Sequence, residues 1–180
     1  FKLCLSFISI QIKSPYTSLK NQKIKIVERI FIYFTLNLRL SLSSSEFIRL
    51  IKLDHIVVSG LTLCQASDYV ESSLGVRMQD GGAHWRYATH NRLLGLAGGI
   101  YLEAIAIDPK KKKPPYPRWF NLDNFIGEPR ITNWVCRSKN IKNAMESKIF
   151  NECEIVRMKR NHLYWLMALP RSGNLPFGGS

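Results

Sequence analysis

From Leu53 onward, apolar and polar positions follow one another in ways that define elements. Leu53-Asp54-His55-Ile56-Val57-Val58-Ser59 is short, β-branched and bounded by Gly60, which predicts a strand. On such a strand His55, Val57 and Ser59 share one face, with Ile56 and Val58 on the other. Thr62-Leu63-Cys64-Gln65 has the form of a capping box, in which a hydroxyl and a side-chain amide satisfy free amides at a helix start. Leu63, Ala66, Val70 and Leu74 then recur at helical spacing, and Gly75 stands where a left-handed C-terminal cap is expected. Residues 76–79 predict a second strand, followed by a turn at Asp80-Gly81-Gly82. Residues 91–97 and Tyr101–Ile107 predict two more strands, joined as a hairpin around Gly98-Gly99.

After Asp108-Pro109, Lys110–Lys113 and the prolines Pro114, Pro115, Pro117 and Pro129 predict a connecting loop. The order then begins again. Residues 131–137 predict a strand, and Ile141, Ala144, Met145 and Ile149 give a helical stripe. Residues 154–158 and 163–169 predict two strands. Setting Leu53 against Ile131 gives one unit used twice, roughly 78 residues apart. The expected fold class is α+β, with paired βαβββ modules forming a cup-shaped curved sheet. The second module stops before its last strand. The expected boundaries are 52–108 for module one, 109–129 for the linker and 130–180 for the incomplete module two.

Residues 1–51 lack this order. They are rich in Ile, Leu, Phe, Ser and Lys, with one proline and no glycine. The apolar stretch from Ile30 to Leu42 is interrupted by Asn37 and Arg39. It falls short of the ~18–20 residues of a spanning helix. The opening ten residues resemble a short signal stretch without a convincing small-residue cleavage site. The chain opens on Phe1 rather than Met, which reads as a fragment. The segment reads as an extension that is not part of the working protein, with a start near residues 46–52.

The formal charge of +13 suggests nucleic acid until its distribution is considered. Residues 1–52 carry nine Lys/Arg against two Asp/Glu, and the rest seventeen against eleven. Four of those seventeen are the run Lys110–Lys113, which reads as a solvated loop. No element carries basic residues along one face with aromatics between them, as phosphate tracking with base stacking requires. The expected partners therefore include neither nucleic acid nor membrane. Cys4, Cys64, Cys136 and Cys153 form no C-x-x-C pair, which argues against a thiolate zinc site or a dense disulfide framework. Cys64 and Cys136 lie in apolar contexts, where a buried free thiol is expected, in keeping with a reducing cytosol.

A strand–helix–three-strand unit used twice resembles the vicinal-oxygen-chelate superfamily of glyoxalase I, extradiol dioxygenases, methylmalonyl-CoA epimerase and bleomycin- or fosfomycin-resistance proteins. Within it the chain is most similar to the glyoxalase-like domain family. The residues carrying the resemblance are Leu53-Asp54-His55, Gly81-Gly82-x-His84, Thr89-His90-Asn91 and Tyr101-Leu102-Glu103 ending in Asp108-Pro109. Trp119-Phe120, Trp134 and Leu175-Pro176-Phe177-Gly178-Gly179 add to it. The resemblance covers about residues 52–180 and rests on order and spacing, since no single motif is specific.

In such folds each module offers one metal ligand from its first strand and one from its fourth. The resemblance implies that His55 and Glu103 are the metal ligands of module one. An imidazole nitrogen and a carboxylate oxygen suit zinc, nickel, iron(II) or manganese. A bound divalent metal would hold two neighbouring substrate oxygens and stabilise the charge left as a C–H proton departs. Glu103 is alternatively the catalytic base. The matching position in module two is Asn133, a poor ligand, and the strand that would supply the other ligand is missing. His84, His90 and Asn91 are expected around the cup mouth as substrate-binding residues, with loop-capping hydrogen bonds as the plainer role. Trp119 and Trp134 are expected to form an aromatic wall, or in the case of Trp134 to pack in the core. Arg86-Tyr87-Ala88 replaces glycines expected before Thr89, so that loop departs from the family pattern.

The resulting expectation is a cytosolic enzyme of isomerase, lyase or dioxygenase type, assisted by a divalent metal. Its substrate would be a small molecule with adjacent oxygens. The alternative is a metal-free binding protein of the resistance type, which Asn133 favours. Homodimerisation is common in the superfamily, and no residue here decides it.

Overall fold

Strand-forming and helix-forming stretches alternate along the chain, and a computed structural model shows how they assemble for residues 2–5, 51–146, 150–160 and 163–174. The elements are β1 (Lys2–Leu5), β2 (Ile51–Ser59), α1 (Leu63–Leu74), β3 (Gln79–His84), β4 (Thr89–Gly95) and β5 (Tyr101–Ile107). They continue with β6 (Arg130–Ser138), α2 (Ile141–Met145), β7 (Cys153–Arg160) and β8 (Leu163–Pro170). The architecture is mixed α+β, with few helices and a sheet in the order β3-β4-β5-β2-β6-β1-β8-β7. Ile149 of the expected helical stripe and the stretch 175–179 lie outside the described residues.

The helix α1 forms where its sequence pattern places it. The Thr62 side chain accepts from the Gln65 amide while the Gln65 side chain accepts from the Thr62 amide. Gly75 closes the helix in the left-handed region (φ 66°, ψ 31°). Its buried face, Ala66 and Val70, packs on Val58 of β2 and Ala104 of β5. Burying a valine of this kind contributes about 1.5–3 kcal/mol. Cys64 corrects its sequence reading. It falls between the buried positions of the stripe and is exposed, its thiol donating to Asp68 Oδ2 at 3.2 Å, whereas Cys136 is buried as expected.

The first strand after α1 also differs from its reading. Asp80-Gly81-Gly82 is not a turn but the body of β3, with a register irregularity between Asp80 and Ala83. The reversal comes at residues 85–88, where Ala88 takes φ 50°. The β4–β5 hairpin is antiparallel with Gly95 opposite Tyr101. Its connection uses Gly98 and Gly99, both at positive φ.

The strands β2 and β6 meet antiparallel at the middle of the sheet, Val57 opposite Asn133. On the helix-bearing face, Ile56, Trp134 and Cys136 pack with Ile141, Ala144 and Phe150. On the opposite face, Val57, Ile105, Val135, Met158, Met167 and Leu169 pack with Trp119, Phe120 and Leu122. The prolyl linker is thus more than a loop. It forms a short 3-10 segment, Trp119–Asn124, that seals this second face. Beside β6 lies β1, antiparallel to it and parallel to β8.

Candidate functional site

Two neighbouring strands of the first half bring the chemistry together. β2 and β5 run parallel, with His55 opposite Tyr101 and Val57 opposite Glu103. His55 and Glu103 therefore sit diagonally on one face, within reach of each other. His55 Nε2 lies 3.2 Å from Glu103 Oε2, and both side chains are buried. The ring of Tyr101 stacks on His55 at 4.4 Å between centroids.

A register shift in β2 between Leu53 and His55 adds a third member. Such a bulge re-aims a side chain that would otherwise point to the opposite face. Here it sets Asp54 Oδ2 2.8 Å from His55 Nδ1. His55 is thus held between two carboxylates, one at each ring nitrogen. Arg137 reaches the far side of Asp54 at 3.8 Å.

The second oxygen of Glu103 is held from β4. Asn91 Nδ2 donates to Glu103 Oε1, while Asn91 Oδ1 accepts from the Gly82 amide at 2.8 Å, which fixes the orientation of the amide group. Asn91 Nδ2 also lies 3.4 Å from His84 Nε2. His84 Nδ1 lies 3.0 Å from Thr89 Oγ1. Thr89 Oγ1 accepts from Trp119 Nε1 at 3.2 Å. Gly81 makes this possible, because a Cβ there would lie 2.0 Å from Asn91 Oδ1.

Burial pushes the Glu103 carboxyl up, but the hydrogen bond and charge of His55 outweigh it, and His84 and Asn91 add to that effect. The net result holds the group down at about 2 against an ordinary 4.5. Glu103 is therefore ionised across the neutral range.

Beside this cluster lies a cavity of about 1000 Å³ between β3 and the β7–β8 edge, with His84 and Leu93 on the first-half side and Met158 and Trp165 on the other. His55 and Glu103 are not in its lining. They stand behind His84, whose Nε2 is 3.9 Å from Glu103 Oε1.

The residues singled out from sequence separate into two groups. His55, Glu103, His84, Asn91 and Trp119 converge. Trp119 does so from behind, buried against His84 (4.8 Å, edge-on) and stacked on Tyr87 at 4.5 Å. His90 does not join them. It follows Thr89 and precedes Asn91 on one strand and so faces the other way, and its Nε2 is buried without a hydrogen-bond partner. Trp134 lies on the helix-bearing face with Ile141 and Ala144, the core position, so Trp119 and Trp134 form no shared wall. The aromatic side chains at the cavity are instead Trp85 and Trp165. Asp54, Tyr101 and Thr89 belong to the cluster without having been assigned roles from sequence. Asn133 is fully buried opposite Val57. Among the described residues, no three His, Cys, Asp or Glu side chains are grouped to hold a metal ion. Nor is any helix there long and apolar enough to cross a membrane.

Comparison with known proteins agrees with the residues that carried the resemblance: the sequence model of the glyoxalase-like domain family matches residues 53–180. No curated protein and no solved structure matches the chain.

Proposed function

Because the chain belongs to the glyoxalase-like domain family, a branch of the vicinal-oxygen-chelate superfamily, we propose that it is a cytosolic small-molecule enzyme. Its working group is the His55–Glu103 pair, and its reaction is proton abstraction beside a carbonyl or another oxygen-bearing carbon. The proposed fold is a pair of βαβββ modules curved into a cup, with β2–β5 as the first and β6–β8, one strand short, as the second. The free thiols of Cys64, Cys136 and Cys153 are in keeping with a reducing compartment.

The observation that carries the reading is the chain Asp54–His55–Glu103. A histidine that binds a metal ordinarily gives its other nitrogen to a carboxylate, which fixes the ring and strengthens the ligand. Asp54 stands in that relation to His55 Nδ1. His55 Nε2 and Glu103 Oε2, 3.2 Å apart, would be the two atoms to hold a divalent ion. This nitrogen and oxygen would suit zinc, nickel, iron(II) or manganese, with His55 and Glu103 as the holders. When bound, such an ion polarises substrate oxygens and favours loss of a neighbouring C–H proton. The rest is done by the chain itself. Where Glu103 does not hold the ion it is alternatively the base that accepts the proton, and in either role Asn91 keeps its carboxylate aligned by holding Oε1. Trp119 and Thr89 hold the ring of His84 at the boundary between cluster and cavity.

A second reading, metal-free sequestration of an apolar or aromatic compound, is favoured by the cavity itself. Its lining includes Trp85, Met158, Leu163 and Trp165 and leaves out His55 and Glu103. One experiment divides the two. Metal content is measured on the full chain after loading with zinc, nickel, iron(II) or manganese, for wild type, His55→Ala and Glu103→Ala. Near-stoichiometric metal that both substitutions abolish supports the enzyme. Folded wild type that retains none removes it in favour of sequestration.

A further inference from the structure

The two open ends of the sheet are unlike. Among the described residues β3 and β7 are its outer strands. β3 carries a register irregularity between Asp80 and Ala83, and Gly81-Gly82 forms its middle. β7 pairs with β8 along its whole length, from Cys153 opposite Pro170 to Arg160 opposite Leu163, without a break in register. An irregular edge offers little to a further strand, whereas a long regular one presents a row of N–H and C=O groups ready to pair.

The lining of the large cavity shows where the outer side of β7 lies. Residues 80–86 border it on one side, and Arg157, Met158 and Lys159 border it on the other. Neighbours on a strand point to opposite faces, so a run of neighbours around one cavity means that β3 and β7 meet it with their edges. The cavity is thus a seam between the two outer strands, and the edge of β7 runs along it.

The side chains of β7 decide what can pair there. Ile155, Arg157 and Lys159 share the face opposite Val156 and Met158, and all three are exposed, Ile155 by 41%. Across the ladder they stand beside Ala168, Leu166 and Tyr164, and Lys159 Nζ lies 5.2 Å from the Tyr164 ring centre. No carboxylate shares this stretch of the face, and neither cation is in an ion pair among the described residues. An added strand sets its own alternate side chains beside these three, where opposite charges attract and like charges repel. A second copy pairing through the middle of β7 would bring Arg157 and Lys159 against their counterparts, on a chain of net charge +13. The edge therefore disfavours its own copy and favours an acidic strand.

We propose that the outer edge of β7 is a docking site for an extended acidic segment of a partner protein, added to the sheet as a further strand. Two of its carboxylates, spaced two residues apart, lie beside Arg157 and Lys159, and an apolar residue lies beside Ile155. Backbone hydrogen bonds to β7 supply attachment, and the alternate side chains supply selection.

The test uses the full chain at low ionic strength and an end-blocked octapeptide of alternating valine and glutamate. It is compared with a lysine-for-glutamate form, a form with prolines in place of the two central valines, and a dT10 oligonucleotide. The glutamate peptide is expected to bind, to weaken as salt is added, and to slow hydrogen exchange at alternate amides of β7. The lysine form is expected not to bind. The proline form is expected to bind about tenfold more weakly, because proline removes donors to the ladder. Arg157→Ala/Lys159→Ala is expected to lose about fivefold to tenfold, and Arg157→Glu/Lys159→Glu to prefer the lysine peptide. Equal binding of the valine and proline forms, with exchange in β7 unchanged, overturns strand addition. Tighter binding of dT10 than of the glutamate peptide overturns the proposal in favour of nucleic acid. Exchange in β7 that slows with protein concentration and ignores the peptide overturns it in favour of self-pairing. Failure of folded protein to bind any of the probes overturns it as well.

Discussion

The two halves of the sheet use similar elements for different ends. In the first, β2 and β5 lie side by side in parallel, and the face they share carries Asp54, His55 and Glu103 in one hydrogen-bonded cluster. In the second, β6 stands where β2 stands, but its equivalent positions hold Asn133 and Val135, and the surrounding face is Val156, Met158, Met167 and Leu169. The place next to β6 is taken by β1, a four-residue strand from the far end of the sequence. It runs antiparallel to β6, whereas β5 runs parallel to β2. One half therefore supplies polar chemistry and the other an apolar wall. The difference follows from a few residues on strands of the same kind, so the asymmetry belongs to the side chains and to the strand filling one slot.

The sharpest way to break this comparison is to remove the carboxylate that unites the first half. Glu103→Ala leaves His55 buried with one partner lost and Asn91 without its acceptor. A loss of about 3–5 kcal/mol in unfolding free energy is expected from urea denaturation at pH 7. Asn133→Ala, at a neutral and equally buried position of the second half, is expected to cost about 1–3 kcal/mol. An equal or larger loss at Asn133 would contradict the assignment of the electrostatic work to the first half.

The same carboxylate predicts a dependence on pH. Glu103 ionises at about 2 when folded and at 4.5 when free, so the unfolded chain binds more protons between these values. The stabilisation is complete above pH 4.5 and is lost as the pH falls through that value toward 2. A difference of this size corresponds to about 3 kcal/mol. Unfolding free energies measured from pH 6 down to pH 2.5 are expected to fall steeply in wild type and more shallowly in Glu103→Gln. Parallel curves would place the acid sensitivity elsewhere.

Much of the first half was legible before any coordinates. The capping box at Thr62, the stop at Gly75 and the hairpin at Gly98-Gly99 are local signals, and local physics decides them. That His55 and Glu103 belong together was legible only through the family resemblance. What was not legible depends on contacts between strands. Asp54 reaches His55 only because of a bulge, which nothing in Leu53-Asp54-His55 announces. Gly81 and Gly82 were read as a turn. Glycine there serves the close approach of Asn91 to the β3 backbone, and both needs select the same residue. His90 was grouped with Asn91 because they are neighbours in sequence, and being neighbours on a strand is what separates them. Trp85 and Trp165 escaped notice because their shared cavity joins the two halves across a long stretch of chain.

Gly81→Ala tests that close approach directly. The added Cβ meets Asn91 Oδ1 at 2.0 Å and the Asn91 carbonyl oxygen at 2.7 Å, so strand or side chain must shift. A loss of about 1–3 kcal/mol is expected, in the range of overpacked sites. Metal loading or ligand binding that depends on Glu103 should weaken with it, because Asn91 then loses its fixed orientation. Gly95→Ala in the neighbouring strand is the control, since a Cβ there meets nothing within 4 Å and should leave both readouts unchanged.

The smallest effect separates the helices of the two halves. α1 has twelve residues, a reciprocal capping box and a buried face on β2 and β5, whereas α2 has five residues. In α2 the Asn140 side chain accepts from the amides of Lys142 and Asn143, at 3.1 and 3.3 Å. So short a helix has few internal hydrogen bonds, and these two capping bonds make up much of what holds its first turn. Thr62→Ala and Asn140→Ala are each expected to cost about 1 kcal/mol. They should differ in where the loss is felt. In α1 a weakened cap is backed by the packing of Ala66 and Val70, so hydrogen exchange should quicken only in the first turn. In α2 it should quicken through the whole helix, while the amides of neighbouring β6 stay protected. Uniform exchange across α2 and β6 in Asn140→Ala would show that this helix and its strand open as one unit, and the second half would then be as cooperative as the first.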